Sequence, residues 1–372
     1  MSEKTVTAEI VVMGAGPGGY AAAFLAADLG MDVVLIDPNK NPGGVCLYRG
    51  CIPSKTFLNA ARVIHEAAES EKWGVAFPKP VIDIHKLRSF KNNVVSKLTQ
   101  GLGRLSAQRK ITYIQGLAQF RTEHELIIQT DTGNTIACVF KNVIIATGSK
   151  PTKPAGLWEE SPHILDSKRA LELEDIPESL LVIGGGYIGL ELGSVYATLG
   201  SKVTIAEITP SLLPGVDKDL VTVLKRRLDP LFDTIALKTR AHRFHIKKNG
   251  IEVTLTGSDE KSRNRLFNKV LVAVGRRPNS ENIGLANTGI ETDGLTKLIV
   301  ETKTERILGL GIVGHGASEM IAEGVLAIEM GANVTDLKLS IHPHPTLTET
   351  VMESGDLFFN TATHFYKPRR KK

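Results

Sequence analysis

At 372 residues, 42% hydrophobic and 23% charged, the chain excludes disordered and fibrous classes and is long enough for two or three domains, each with its own core. Its 45 basic and 40 acidic residues give a net charge of +5, and five basic residues fall among the last six, Lys367 to Lys372, so the charge describes a solvated tail and no nucleic-acid partner. Three cysteines are too few for a secreted disulfide framework, no run approaches the ~20 apolar residues of a membrane span, and the first residues fit neither a signal nor a transit peptide, so a cytoplasmic protein is expected.

In chain order, Glu9 to Met13 is an apolar, β-branched strand signal, followed by Gly14-Ala-Gly16-Pro-Gly-Gly19 and an alanine-rich helix pattern over Tyr20 to Leu29. In such a turn the first glycine allows the tight bend, the second lets a pyrophosphate approach, and the third lets helix pack on strand; the helix N-terminus then faces the phosphates. A second strand, Asp32 to Ile36, ends at Asp37, 23 positions after Gly14, where a carboxylate accepts from a ribose hydroxyl.

The segment Gly43-Gly-Val-Cys46-Leu-Tyr-Arg-Gly-Cys51-Ile-Pro-Ser-Lys55 follows directly. Residues five apart differ by roughly 140° around a helix, so two thiols at this spacing meet only if Cys46 precedes the helix or lies in a distorted first turn. A cysteine at a helix N-terminus also has its thiolate favoured. A redox couple, a metal site and two unrelated thiols all stay open, although zinc wants four ligands and only Cys138 remains, in an apolar strand. No metal is assigned.

Asn142 to Ile145 runs into Ala146-Thr147-Gly148, a strand ending in glycine. The nucleotide pattern then recurs: Leu180 to Ile183, Gly184-Gly-Gly186-Tyr-Ile-Gly189, a helix to about Leu199, and a strand Lys202 to Ala206 ending at Glu207, again 23 positions on. Two copies imply two nucleotide cofactors. A carboxylate at Glu207 accepts from a free 2′-hydroxyl and repels a 2′-phosphate, which favours NAD over NADP. Val270 to Val274 next runs into Gly275-Arg276-Arg277-Pro278, and His342-Pro-His344-Pro-Thr-Leu-Thr-Glu349 stands near the end, with a helix expected from Thr346. Thiol exchange needs a base, and a histidine held by a carboxylate serves at neutral pH.

Together, GAGPGG, GGVCLYRGCIPSK, IIATGSKP, GGGYIGLE, VAVGRRPN and HPHPTLTE resemble the FAD-dependent pyridine nucleotide-disulfide oxidoreductases, within them the NAD-linked branch that oxidises dihydrolipoamide. The resemblance covers nearly the whole chain. It implies an α/β fold of two Rossmann-like dinucleotide-binding domains, for FAD and NAD, plus a truncated α+β interface domain. The expected limits are 1–150 for the FAD domain with the cysteine pair, 151–275 for the NAD domain, 276–294 for the return to the FAD domain, and 295–372 for the interface domain. Gly14, Gly16, Gly19 and Asp37 would hold the adenosine half of FAD, Gly184, Gly186, Gly189 and Glu207 would hold NAD, and Thr147, Gly148 and Gly275 would be further cofactor-binding residues. Cys46 would meet the substrate dithiol and Cys51 the flavin, beside Lys55 paired with Glu191. His344, oriented by Glu349, would be the base, delivered across a homodimer. The implied partner is the lipoyl domain of a 2-oxoacid dehydrogenase complex.

One departure stands out. The family continues beyond the Gly-Arg-Arg-Pro region into a strand ending in an Ala-x-Gly-Asp box, a flavin-facing helix and half of the interface domain. Here Glu291-Thr-Asp-Gly294 passes straight into Leu295-Thr-Lys-Leu-Ile-Val300, so an internal deletion near Gly294 is expected. Two readings follow, a dihydrolipoamide-oxidising enzyme or a non-catalytic homologue that keeps NAD binding or subunit contacts only.

Overall fold

The computed structural model describes residues 4–288, 295–301, 303–313, 317–342 and 348–359. They fall into two units, Met1–Ile283 and Gly284–Lys372.

In the first unit, β1 (Lys4–Met13) leads through a glycine turn into α1 (Pro17–Asp28) and back as β2 (Val33–Asp37), all of whose residues are buried. Helices α2 (Gly44–Arg49), α3 (Cys51–Glu69) and α4 (Ile84–Gln108) precede β3 (Thr112–Thr122), β4 (Glu125–Thr130) and β5 (Thr135–Ile145). The five strands close a ring. β1 pairs in parallel with β2 and β5, β2 in parallel with β3, and β4 is antiparallel to both neighbours. Near-continuous apolar runs such as Val33 to Ile36 suit strands buried on both faces. β1 begins five residues before the expected Glu9, because Lys4 to Ala8 pairs with Ile136 to Phe140, a distant segment that local patterning does not reveal. α1 likewise starts three residues early, at Pro17, whose ring suits a first helical turn.

The chain leaves this layer through β6 (Ser149–Pro151) and continues as β7 (Ile164–Leu165), α5 (Ser167–Glu172), β8 (Ser179–Ile183), α6 (Tyr187–Leu199), β9 (Lys202–Ala206), α7 (Lys218–Leu228) and β10 (Thr234–Ala236). An antiparallel sheet of β11 (Arg240–Lys247), β12 (Gly250–Thr256) and β13 (Ser262–Phe267) intervenes before β14 (Lys269–Val272) and β15 (Arg276–Pro278). The second nucleotide-type sheet has the order β10-β9-β8-β14-β7, with every pair parallel. β15 runs antiparallel to β6, so the outgoing and returning chains form a two-stranded crossover. Phe57 of α3 is buried in one cluster with Val182 of β8 and Leu192 and Val195 of α6, which ties the cysteine-bearing helix to the second nucleotide layer. The first unit is thus a mixed α/β structure with two Rossmann-like halves.

The second unit contains β16 (Leu295–Val300) antiparallel to β17 (Ile307–Val313), followed by α8 (Ala317–Glu329), α9 (Val334–Leu339) and α10 (Glu349–Phe359). Its core is small: Ile307, Ala327, Leu337 and Val351, flanked by Leu298, Leu310 and Ile312. Asn333 and Asp336 cap α9 reciprocally. Among the described residues no helix is long and apolar enough to cross a membrane.

Candidate active site

The two glycine turns repeat one construction. Gly14 and Gly184 have φ of +99° and +107°, and a side chain on either would overlap a backbone oxygen of the adjacent strand end, Ala146 or Ala273. A side chain on Gly19 or Gly189 would overlap the carbonyl of Gly14 or Gly184, so the third glycine permits helix-on-turn packing. The middle glycines differ. A Cβ on Gly186 would have nothing within 4 Å, and one on Gly16 would only touch the Gly44 Cα at 3.9 Å, which leaves open space above both turns where a phosphate group fits.

The acids behind the turns are fixed in parallel ways. Asp37, 5% exposed, accepts from Ala15 N–H (2.8 Å), Asn39 N–H (2.9 Å) and Asn39 Nδ2 (2.7 Å). Glu207, also 5% exposed, accepts from Gly185 N–H (2.6 Å) and Thr209 N–H (2.7 Å). Each carboxylate braces its own turn and retains acceptor capacity.

The cysteine segment rests on the first turn. Gly43 N–H donates to Ala15 O (2.7 Å), and Gly44, at φ +55°, comes so near that a Cβ would lie 2.5 Å from Gly16 Cα. Cys46 lies inside the short helix α2, Gly50 breaks it, and Cys51 is the first residue of α3. The thiols therefore meet across a helix break, with Cys46 in a separate helical turn preceding the main helix. Both are free thiols, Cys46 partly buried and Cys51 exposed. Burial, and then the hydrogen-bonded Cys51 thiol, push Cys46 up to about 11. Cys138 is fully buried in β5 and burial pushes it to about 11 as well, which suits an inert core position.

Lys55, one helical turn beyond Cys51, reaches Glu191 of α6 at 2.7 and 2.9 Å, and Ser54 Oγ donates to the same carboxylate at 3.1 Å. These residues border a cavity of about 640 Å³ that extends from Gly14, Gly16 and Asp37, past Thr147 and Gly148, to Cys46 and Cys51. Its size and mostly apolar wall fit a flavin nucleotide, with polar groups at the phosphate and ribose end. Glu191 lines it too, but Gly19, Gly184, Gly186, Gly189, Glu207 and Gly275 lie outside; the second nucleotide unit meets the cavity through Tyr187, Ile188, Glu191 and Leu192 at the start of α6. Gly275, at φ +112°, accepts from Thr152 N–H (3.0 Å) in the crossover. His344 lies outside the described residues, and Glu349 begins α10.

Several lining residues carried no signal that singled them out. Arg276 stood within the Gly-Arg-Arg-Pro run, read only as a strand end, yet its Nε and Nη2 donate to Ser149 Oγ (2.8 Å) and Ser149 O (2.5 Å), fixing it on the cavity wall. Burial lowers its pKa from the ordinary value, opposed by Tyr187, Asp166 and Cys51. Asn279, which donates from Nδ2 to Thr147 O (2.8 Å) and whose own carbonyl accepts from Thr147 Oγ1 (2.9 Å), also lines it.

Comparison with known proteins places this geometry. The family model described as pyridine nucleotide-disulphide oxidoreductase matches residues 8–308. The dihydrolipoyl dehydrogenase of Buchnera aphidicola subsp. Acyrthosiphon pisum is 34% identical over 464 aligned residues, covering 97% of this chain and 98% of that protein. The dihydrolipoyl dehydrogenases of Vibrio cholerae and Haemophilus influenzae are each 32% identical, covering 99% of this chain and 99% and 98% of theirs. A solved structure of the HOCl-induced flavoprotein disulfide reductase RclA from Escherichia coli, as its Cu(II) complex, shares the fold with a TM-score of 0.66 at 21% identity, covering 96% of this chain and 100% of that one. The 464 aligned positions exceed this chain's 372 residues by 92, so the Buchnera relative has at least that many positions without a counterpart here, in agreement with an internal deletion. The turns, the cysteine pair and these relatives lead to one assignment: the chain belongs to the FAD-dependent pyridine nucleotide-disulfide oxidoreductase family.

Proposed function

We propose that the chain oxidises protein-bound dihydrolipoamide to lipoamide with NAD+, using a Cys46–Cys51 disulfide and FAD. The observation that carries this reading is the single cavity joining the first glycine turn to both thiols, with the Lys55–Glu191 pair and the start of the second nucleotide helix on its wall. Gly14, Gly16, Gly19 and Asp37, with Thr147 and Gly148, would hold FAD; Gly184, Gly186, Gly189 and Glu207 would hold NAD, and Gly275 would shape the crossover beside it. When bound, FAD supplies the two-electron relay between the thiols and NAD+.

Cys46 is the thiol that meets the substrate. One substrate sulfur attacks Cys46 Sγ, the Cys46–Cys51 bond breaks, and Cys51 leaves as thiolate. The second substrate sulfur closes the lipoamide ring and releases Cys46. Two electrons and two protons thereby leave the substrate. With its pKa raised, Cys46 holds a proton at neutral pH, so proton transfer depends on a separate base. We assign that base to His344, with Glu349 as its orienting carboxylate, delivered within a homodimer. The macromolecular substrate is the lipoyl domain of a 2-oxoacid dehydrogenase complex.

The surplus of at least 92 positions in the Buchnera relative favours a second reading, a non-catalytic homologue that keeps NAD binding or subunit contacts only. The visible absorption spectrum of the purified chain separates the two. A flavin spectrum that changes on anaerobic addition of dihydrolipoamide and returns on addition of NAD+ is the outcome expected of the enzyme. A protein that stays colourless when FAD is supplied overturns that reading.

A further inference from the structure

The short helix that carries Cys46 ends in a cation with no role in the thiol exchange. Arg49, the last residue of α2, is half-buried on the wall of the cavity that Asp37, Asn39, Cys46 and Cys51 also line. Its Nη2 donates to Asn39 Oδ1 at 3.5 Å, the outer limit of a hydrogen bond, and to a neutral acceptor. Among the described residues no carboxylate pairs with it, so most of the five N–H donors of the guanidinium have no protein acceptor. The other charged groups on this wall are engaged. Lys55 pairs with Glu191 (2.7 Å), Glu281 with Lys150 (2.9 Å), Arg276 donates to Ser149, and Asp37 accepts from Ala15 and Asn39. Among the described residues, Arg49 is thus the wall cation with donors to spare.

Its place is set from both sides. At the start of α2, Gly44 packs against Gly16 of the first glycine turn, and Gly43 N–H donates to Ala15 O (2.7 Å). At its end, the guanidinium meets an asparagine that is itself fixed. Asn39 N–H and Nδ2 donate to Asp37 Oδ1 (2.9 and 2.7 Å), and the Asn39 carbonyl accepts from the Tyr113 hydroxyl (2.7 Å). Arg49 therefore reaches from the cysteine segment back to the residue bonded to Asp37, across the stretch of cavity that separates that acid from the thiols. In FAD the group between the adenosine and the flavin is a diphosphate, and a guanidinium fork matches phosphate oxygens in charge and in geometry.

We propose that Arg49 binds the diphosphate of FAD, with Asn39 as the residue that fixes its guanidinium. The proposal rests on the reading of this cavity as the FAD site, and it adds a side-chain cation to the backbone turn at Gly14 and Gly16. Asp37, Glu191 and Glu281 line the same mostly apolar cavity, so a diphosphate entering it meets like charges that an unpaired cation offsets. Cys46 and Arg49 are three positions apart, on one face of a six-residue helix. An anion held by Arg49 thereby also steadies the helix that presents Cys46.

The test titrates FAD with the full, flavin-free chain and follows flavin fluorescence in the wild type, Arg49→Met and Arg49→Lys. Methionine keeps an unbranched side chain and removes every donor; lysine keeps the charge and loses the fork. At about 50 mM NaCl, Arg49→Met is expected to raise the Kd for FAD by about tenfold to a hundredfold, and Arg49→Lys by less. At about 500 mM NaCl the ratio of Arg49→Met to wild type should shrink severalfold, because the lost contact is between charges. A helix merely disturbed by the substitution would weaken FAD by the same factor at both salt concentrations. The 31P signals of bound FAD give a second readout: they should move in Arg49→Lys, and unchanged signals overturn the proposal even where Arg49→Met does not fold. An unchanged Kd in Arg49→Met, a ratio that salt does not alter, or equal loss in both variants also overturns it. A wild type that takes up no FAD overturns the functional reading and the proposal together, whereas a wild type that binds FAD no better than Arg49→Met overturns the proposal alone.

Discussion

Burial and the adjacent Cys51 thiol both disfavour the Cys46 thiolate, which pushes this group up to about 11. The sign is fixed by the neutral form being favoured in the folded state. Between the ordinary thiol value near 9 and the folded value near 11, the unfolded chain ionises at this position while the folded chain does not. The resulting stabilisation is complete below pH 9 and is lost as the pH rises towards 11. Alkylation of reduced Cys46 by iodoacetamide is therefore expected to keep accelerating, about tenfold per pH unit, from pH 7 to 10. Mass spectrometry of the labelled peptide checks this. A plateau below pH 8 would mean a depressed pKa. Cys51→Ala should move the midpoint down only in part, because burial is the larger cause. At this scale the sequence identified the pair through its spacing, but not the direction of the pKa. The helix N-terminus argued for a stabilised thiolate, but Cys46 lies before the break, in α2, where burial dominates.

Strand, turn and helix were legible wherever the defining contacts are local. The 23-residue interval from Gly14 to Asp37, and again from Gly184 to Glu207, matches acids that brace their own turns through Ala15 and Gly185 N–H. What escaped depends on distant partners: the start of β1, set by Ile136 to Phe140, and the place of Arg276 on the cavity wall, set by Ser149. The glycine turns themselves make a prediction at this scale. Gly19→Ala forces a Cβ into the Gly14 carbonyl, so the turn and α1 must separate, and the expected loss is of stability, about 1–3 kcal/mol in a urea titration of the flavin-free protein. Gly16→Ala meets only Gly44 Cα at 3.9 Å and should leave that titration nearly unchanged. Its effect should fall on FAD affinity, because the methyl group occupies the space left above the turn. Equal FAD affinity in Gly16→Ala and wild type, measured by flavin fluorescence, would show that the pyrophosphate does not lie there.

Across the whole chain, the two units differ in how their sheets are completed. In the first, β8 lies between β9 and β14, with parallel partners on both sides and a large core beneath it. In the second, β16 and β17 have only each other among the described residues, and a two-stranded sheet is marginal unless something packs on it. The core that packs there is small, centred on Ile307, Ala327, Leu337 and Val351. Local opening follows from few buried contacts and singly paired strands. Hydrogen–deuterium exchange of the full chain should therefore be faster at Leu298 and Leu310 than at Leu181 and Val182 by several orders of magnitude, a wider spread than amides of one cooperative unit would show. Matching protection in β16 and β8 would contradict this and give the small unit the stability of the large one.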